Sequence, residues 1–218
     1  MEFLTKLFQD GLQYRTINTY RSAISKNHAL IDSVQVGKHP FIIKHMRAIF
    51  NKRVPMSKYQ FSWNVDTVLP EISSWGTNDD LDIKFLSWKL TMLLALASAG
   101  RASELNSLNC KFMKQQGSFI HFELPIHTKT CRPGSDNRNL SFDSYKDDPN
   151  LCVVFCINHY INRTQSWREI NDKIDRSWLI LRMVKPHYPI TTSLVARWLK
   201  QTITQSGISI PLQVIPLA

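Results

Sequence analysis

The amino-acid sequence predicts a mainly α-helical chain with a small antiparallel sheet, an α+β fold dominated by helix. Three observations carry this. Apolar residues recur at helical spacing through the first fifty positions, an apolar run from Leu81 to Ala99 is long enough for a buried helix, and SFIHFELP (118–125) alternates before a Pro-Gly turn. Hydrophobic residues make up 43% of the 218 and aromatics 11%, which supports a packed core and argues against disorder. No stretch of eighteen apolar residues occurs, so no membrane partner is expected. The start, MEFLTKLFQDG, mixes acids with apolar residues and does not read as a signal peptide. Cys110, Cys131, Cys152 and Cys156 lack metal-finger or CxxC spacing. They read as reduced thiols of an intracellular protein, and nothing in the sequence calls for a cofactor.

Taken in order, residues 2–9 read as helix. From Thr16, an expected N-cap, TINTYRSAISKNHAL places Ile17, Tyr20, Ala23 and Ile24 on an inner face, with Arg15, Arg21 and Lys26 opposite. A third helix follows Pro40, with Ile42, Ile43, Met46, Ile49 and Phe50 inside and Lys44, Arg47, Lys52 and Arg53 outside. Residues 1–52 thus form a partial N-terminal helical module. The segment 53–61, with Pro55 and mixed polar residues, reads as a linker. Residues 62–208 form a second domain, and 209–218 an atypical tail. In the second domain Asn64 or Asp66 caps a helix carrying Val65, Val68, Leu69 and Ile72. Asp79 or Asp80 caps the long apolar helix, read as the buried spine. In the alternating segment Phe119, His121 and Glu123 face one way, and Ile120, Phe122 and Leu124 the other. HTKTCRPGSDNRN is a turn, LSFDSY (140–145) a return strand, 151–164 a helix, SWLILRM (177–183) a strand, and 191–206 a last helix stopped by Gly207.

The charge is uneven. The net formal charge is +10, and residues 1–58 hold ten Lys/Arg against three Asp/Glu, a local +7. A basic front on a nearly balanced body points to a polyanion, most commonly nucleic acid, or to a solvated surface kept for solubility. Arg15, Arg21, Lys26, Lys44, Arg47, Lys52 and Arg53 are the candidate DNA contacts of the first module.

One stretch raises a chemical question. LLALASAGRASELNSL runs an apolar helix into Ala-Gly and then Arg101, with Glu104 three residues on. A guanidinium grips phosphate in a planar, bidentate manner, and Glu104 lies at a spacing that can orient it. The same pair is also an ordinary helix-start contact worth about 0.2–0.5 kcal/mol.

The segments FLTKLFQDGLQYRTINTYRSAIS, YQFSWNVDTVL, LSWKLTMLLALASAGRASEL, HTKTCRPG, DPNLCVVFCINHYINRT and LVARWLKQTITQSGI, in this order, cover residues 3 to about 208. Together they resemble the tyrosine recombinase family of phage-integrase type, and within it the recombinases of DIRS-type and Ngaro-type retrotransposons. The resemblance implies a catalytic-domain-like fold preceded by a core-binding module. It also implies DNA breaking and rejoining through a 3′-phosphotyrosine, without a metal. Arg101 then matches the first phosphate-clamping arginine, Glu104 its supporting acid, and Lys129 the turn lysine that protonates the leaving 5′-hydroxyl. A compact ammonium on a flexible stem suits that general-acid role. Arg132 is the local rival, as a backbone phosphate contact.

The family's later apparatus, a His-x-x-Arg pair and a nucleophilic tyrosine, has no match. The sequence holds no H-x-x-R, and none of Tyr14, Tyr20, Tyr59, Tyr145, Tyr160 and Tyr188 follows Gly207. Tyr188, beside His187, reads as a loop or packing residue. The sequence is therefore expected to represent a C-terminally truncated recombinase of mobile-element origin, inactive alone, whose partners are duplex DNA and other recombinase protomers. A non-catalytic DNA-binding scaffold and a protein-interaction remnant are the alternatives.

Overall fold

A computed structural model describes residues 1–55, 63–126, 131, 134, 138–170 and 173–208. The chain divides into two compact units, Met1–Ser62 and Trp63–Ala218.

Unit 1 contains three helices, α1 (Glu2–Gln9), α2 (Tyr14–Asn27) and α3 (Pro40–Lys52). The second begins two residues before Thr16, and its N-cap is Gln13. Pro40 starts the third, where its missing N–H costs nothing, and the His39 ring accepts from the Phe41 amide at 3.3 Å. The core is small: Leu4, Ile17, Met46 and Ile49 are buried, with Leu7, Phe8, Leu12, Tyr14 and Ile42 packed against them. Three short helices can each bury only a narrow stripe. Tyr20, Ala23, Ile43 and Phe50, expected inside, are accordingly exposed, and Ile24 is half-buried.

Unit 2 is built around α5 (Ile83–Ser98), the expected spine, which buries Leu86 through Ala95 without a gap. Its cap is Asp82, not Asp79 or Asp80; Asp80 instead accepts from the Thr77 hydroxyl at 2.7 Å. Ser87 and Thr91 sit inside because their hydroxyls donate to the carbonyls one turn back, of Ile83 and Ser87, both at 2.7 Å. Before it stands α4 (Val65–Ser74), capped by the Asn64 side chain accepting from the Asp66 amide at 2.9 Å. Only Val68 and Ile72 of its expected apolar face are buried. After α5 come α6 (Ala102–Leu105), the strands β1 (Met113–Gln116), β2 (Phe119–Phe122) and β3 (Leu140–Asp143), and the helices α7 (Val153–Arg163), α8 (Gln165–Arg168) and α9 (Thr192–Gln205). Helices α7 and α9 pack on α5.

The sheet is antiparallel with order β1-β2-β3. Opposite pairs Ile120–Phe142 and Phe122–Leu140 point their side chains into the core, while Phe119, His121 and Ser141 face outward. Strand β1 was not expected from the sequence, and SWLILRM forms no strand. It makes only isolated bridges, Asn109 to Trp178 and Leu181 to Pro189. Leu179, Ile180 and Leu181 are all buried, so this apolar run packs within the core rather than edging a sheet.

Candidate anion site at the end of the buried helix

The site begins where α5 has to stop. Ala99 takes the left-handed conformation at φ 46°, and Gly100 follows. A Cβ at Gly100 would meet Ser98 Oγ at 2.7 Å and Leu105 Cδ2 at 3.3 Å, so a larger residue here would have to displace the Ser98 hydroxyl. The Ser98 hydroxyl fixes the corner, donating to the Leu94 carbonyl at 2.6 Å and accepting from the Gly100 amide at 3.0 Å. Arg101 is the extended residue that opens α6.

Glu104 lies at the third position of that short helix and is 1% exposed. Its Oε2 accepts from the Arg101 backbone amide at 3.0 Å, and its Oε1 from Arg101 Nη1 at 3.2 Å. A buried carboxylate without donors would be expensive, and here three donors meet it. The third comes from Arg138, on the approach to β3, whose Nη1 donates to Glu104 Oε2 at 3.0 Å. Arg138 Nη2 donates to the Ser98 carbonyl at 2.8 Å, on the last turn of α5. One buried carboxylate therefore holds two guanidiniums. Their side chains remain 39% (Arg101) and 37% (Arg138) exposed.

The cluster carries one net positive charge and is oriented from both sides. That arrangement can receive an anion with several oxygens, because the guanidinium donors not occupied by Glu104 or Ser98 are fixed in a plane. Sequence spacing brings Arg101 and Glu104 together as expected. It gave no sign of Arg138, which stands 34 positions from Glu104 in a segment read as turn. Lys129 and Arg132 lie outside the described residues.

Unit 1 distributes its cations unequally. Arg15, Lys26, Lys44, Arg47 and Lys52 are exposed. Arg21 is half-buried and donates to the Gly37 carbonyl at 3.3 Å, beside a concavity of about 260 Å³ that Lys26, Lys38, Ser22 and Ser25 also line. Arg53 is not the outward contact expected. Its Nη1 and Nη2 donate to the Leu12 and Phe8 carbonyls at 2.7 and 3.1 Å, and its guanidinium lies 4.2 Å from the centre of the Phe8 ring. It ties the end of α3 to the end of α1.

The remaining reactive side chains serve the fold. Tyr160 is buried, and its hydroxyl donates to the Leu181 carbonyl and accepts from the Leu181 amide. Tyr188 is exposed in a loop, while His187 is buried and stacked on Trp167 with ring centres 4.1 Å apart. Burial pushes the Cys110 thiol above its ordinary range and the Cys156 thiol up to about 12. Burial would raise Cys152 as well, but donors from Ser144, Phe155 and Tyr145 outweigh it and hold that thiol below its usual value. Among the described residues no group of three His, Cys, Asp or Glu side chains is placed to hold a metal, and no helix is long and apolar enough to cross a membrane.

No protein-family model matches the chain, and no curated protein matches it in sequence. Its fold does match solved structures. The XerH site-specific recombinase bound to difH substrate, in a pre-cleavage complex, aligns with a TM-score of 0.56 at 14% identity over 97% of this chain and 54% of that one. The same recombinase bound to palindromic difH, in a post-cleavage complex, aligns with a TM-score of 0.56 at 13% identity over 96% of this chain and 55% of that one. The chain spans about half the length of these structures. At this identity the shared property is the fold, a mostly helical recombinase-like architecture with a three-stranded antiparallel sheet.

Proposed function

We propose that the chain binds duplex DNA and grips one backbone phosphate with Arg101, oriented by the buried carboxylate of Glu104. The observation that carries this reading is the corner at Gly100. A helix end, a closely packed glycine and a buried acid all serve to hold a half-exposed guanidinium still. A merely structural arginine needs no such preparation. The recombinase-like fold adds that such scaffolds occur bound to DNA, as the XerH structures are.

The finer reading is a tyrosine recombinase-derived protein of mobile-element origin, of DIRS or Ngaro type, acting in the nucleus. Its first unit serves as a core-binding module and meets the duplex through Arg15, Lys26, Lys44, Arg47 and Lys52, which are exposed. Lys129 serves as general acid in the complete reaction, and Arg132 as a phosphate contact. These 218 residues alone carry no strand cleavage, because no tyrosine is assigned as nucleophile and no second clamp of His-x-x-Arg type exists. Assembly with intact recombinase protomers would then place an incompetent subunit in the complex.

Fluorescence anisotropy on labelled duplexes at several salt concentrations tests the binding. Counterion release gives a steep fall of affinity with salt, with a slope of about 0.9 per neutralised phosphate. A flat dependence would sink the reading in favour of a protein-interaction role. A suicide duplex that traps covalent intermediates tests the second part: no protein–DNA adduct is expected, and a stable adduct would place a nucleophile in this chain.

A further inference from the structure

Glu104 is satisfied more fully than one arginine requires. Arg101 already supplies two donors to the carboxylate, one to each oxygen, and balances its charge. The arrival of Arg138 on Oε2 adds a second cation where neutralisation is complete. No other described acid lies within ion-pair distance of either guanidinium. Both side chains keep more than a third of their surface exposed. Elsewhere in unit 2 an arginine that serves only the fold behaves differently: Arg168 places its three guanidinium nitrogens on Thr164 Oγ1 and the carbonyls of Arg176, Trp178 and Leu179.

We infer that Arg138 is a second phosphate-binding residue, forming with Arg101 a two-guanidinium clamp on one phosphodiester, with Glu104 as the shared anchor that sets their spacing. The inference rests on the duplex-DNA reading and adds to it a residue on a different element. Two forks on one carboxylate present donors from two directions, which suits a phosphodiester with two non-bridging oxygens. The bond from Arg138 to the Ser98 carbonyl positions the fork against the end of α5 and leaves its Nε without a partner among the described residues. The charge left over after Glu104 is neutralised, one positive unit, matches the single negative charge of a phosphodiester.

The test uses the whole chain and an arginine-specific dicarbonyl reagent, with modified positions mapped by mass spectrometry. In free protein Arg101 and Arg138 should react, while Arg168 and Arg53 should be slow. Saturating duplex DNA should slow Arg101 and Arg138 together. If the chain binds duplex and Arg101 is protected while Arg138 reacts at its free rate, Arg138 is a structural brace and the inference fails, with the DNA reading intact. If no duplex binding occurs, both fall. Inorganic phosphate serves as the second probe: equal protection at equal phosphate concentration would assign the pair to free anions and overturn the duplex assignment.

Variants add a reading independent of reagent access. Arg138→Gln should weaken duplex binding about tenfold, the lower end for a lost hydrogen bond to a charged group. Arg138→Lys should recover only part of that loss, because it keeps the charge but not the fork that spans Glu104, Ser98 and the phosphate. If Arg138→Gln lowered the melting temperature yet left duplex affinity unchanged, the residue would act on the fold alone and the inference would be overturned.

Discussion

Two regions of unit 2 use the same side chain for opposite ends. At the junction of α8 with the loop before Trp178, the Arg168 guanidinium meets one hydroxyl and three carbonyls at 2.7–3.2 Å. At the end of α5, Arg101 and Arg138 share a single acid and remain more than a third exposed. The first arginine is a hydrogen-bonded staple between loop and helix, while the second pair keeps part of its donor surface open to solvent. Formal charge does not separate them, since both count equally toward the net +10. What separates them is how many donors the fold has already occupied. Unit 1 repeats the lesson, with Arg53 turned onto carbonyls beside an exposed Arg47.

Substitutions at the two regions should therefore split stability from binding. The largest expected effect is Arg168→Ala, which strips partners from three backbone carbonyls at once and should lower unfolding free energy by about 3 kcal/mol in denaturant titration. Its duplex affinity, measured where the variant is folded, should stay at the wild-type level; a parallel loss would erase the distinction between the regions. Glu104→Ala comes next and should move both readouts. Removing the shared anchor leaves two guanidiniums unheld and a small void, for about 2 kcal/mol of stability, moderated because both arginines can still be solvated. Duplex affinity should fall with it, since Arg101 loses its orientation. Arg101→Gln should cost less than about 1 kcal/mol in stability but weaken duplex binding about tenfold. A variant with unchanged binding and a large drop in melting temperature would make Arg101 another staple.

The features legible in the sequence are those whose cause is local. An apolar run with no polar face could only be a buried helix, and α5 is one. Helical spacing places every helix longer than ten residues to within about three positions, while caps are less legible: α2 and α5 start from Gln13 and Asp82 rather than from Thr16 and Asp79 or Asp80. The Arg101–Glu104 contact was equally visible, as an i, i+3 relation. What escaped depends on distant partners. Strand β1 reads MKQQ, with three of four residues exposed, so no alternation announces it; pairing with β2 makes it a strand. SWLILRM has the composition of a strand, but three consecutive buried residues and only isolated bridges make it a core-filling segment. Arg138 is joined to Glu104 by folding alone, and Arg53 could not be seen as a staple until α1 and α3 were side by side. Long, flexible cations are the residues whose role the sequence specifies least, because their reach spans several possible partners.

A third kind of cation sharpens the contrast with a smaller, pH-dependent effect. Lys89 sits in the middle of α5 with no exposed surface, and its ammonium has one described hydrogen-bond partner, the Gly76 carbonyl at 3.2 Å. Burial drives its pKa below the ordinary 10.5, and the charge on Asp148 offsets that only in part, while the Cys156 thiol, pushed up to about 12, is neutral across this range. In the window between the lowered value and 10.5, unfolded chains hold more protons on this side chain than native ones. Native stability drawn from Lys89 therefore rises with pH across that window and is lowest where the amine is fully protonated. Lys89→Met, of similar length and without charge, should stabilise the protein at pH 7 by about 1 kcal/mol, as replacement of a buried charge by an apolar side chain often does. That advantage should shrink as pH climbs toward 10.5. Chemical denaturation of both proteins at a series of pH values, kept below the range in which Cys156 titrates, reads the difference directly. A gap that stayed constant with pH would mean that water reaches the ammonium in solution, and Lys89 would then belong with the exposed cations rather than at the buried extreme of the series that runs from Arg47 through Arg101 to Arg168.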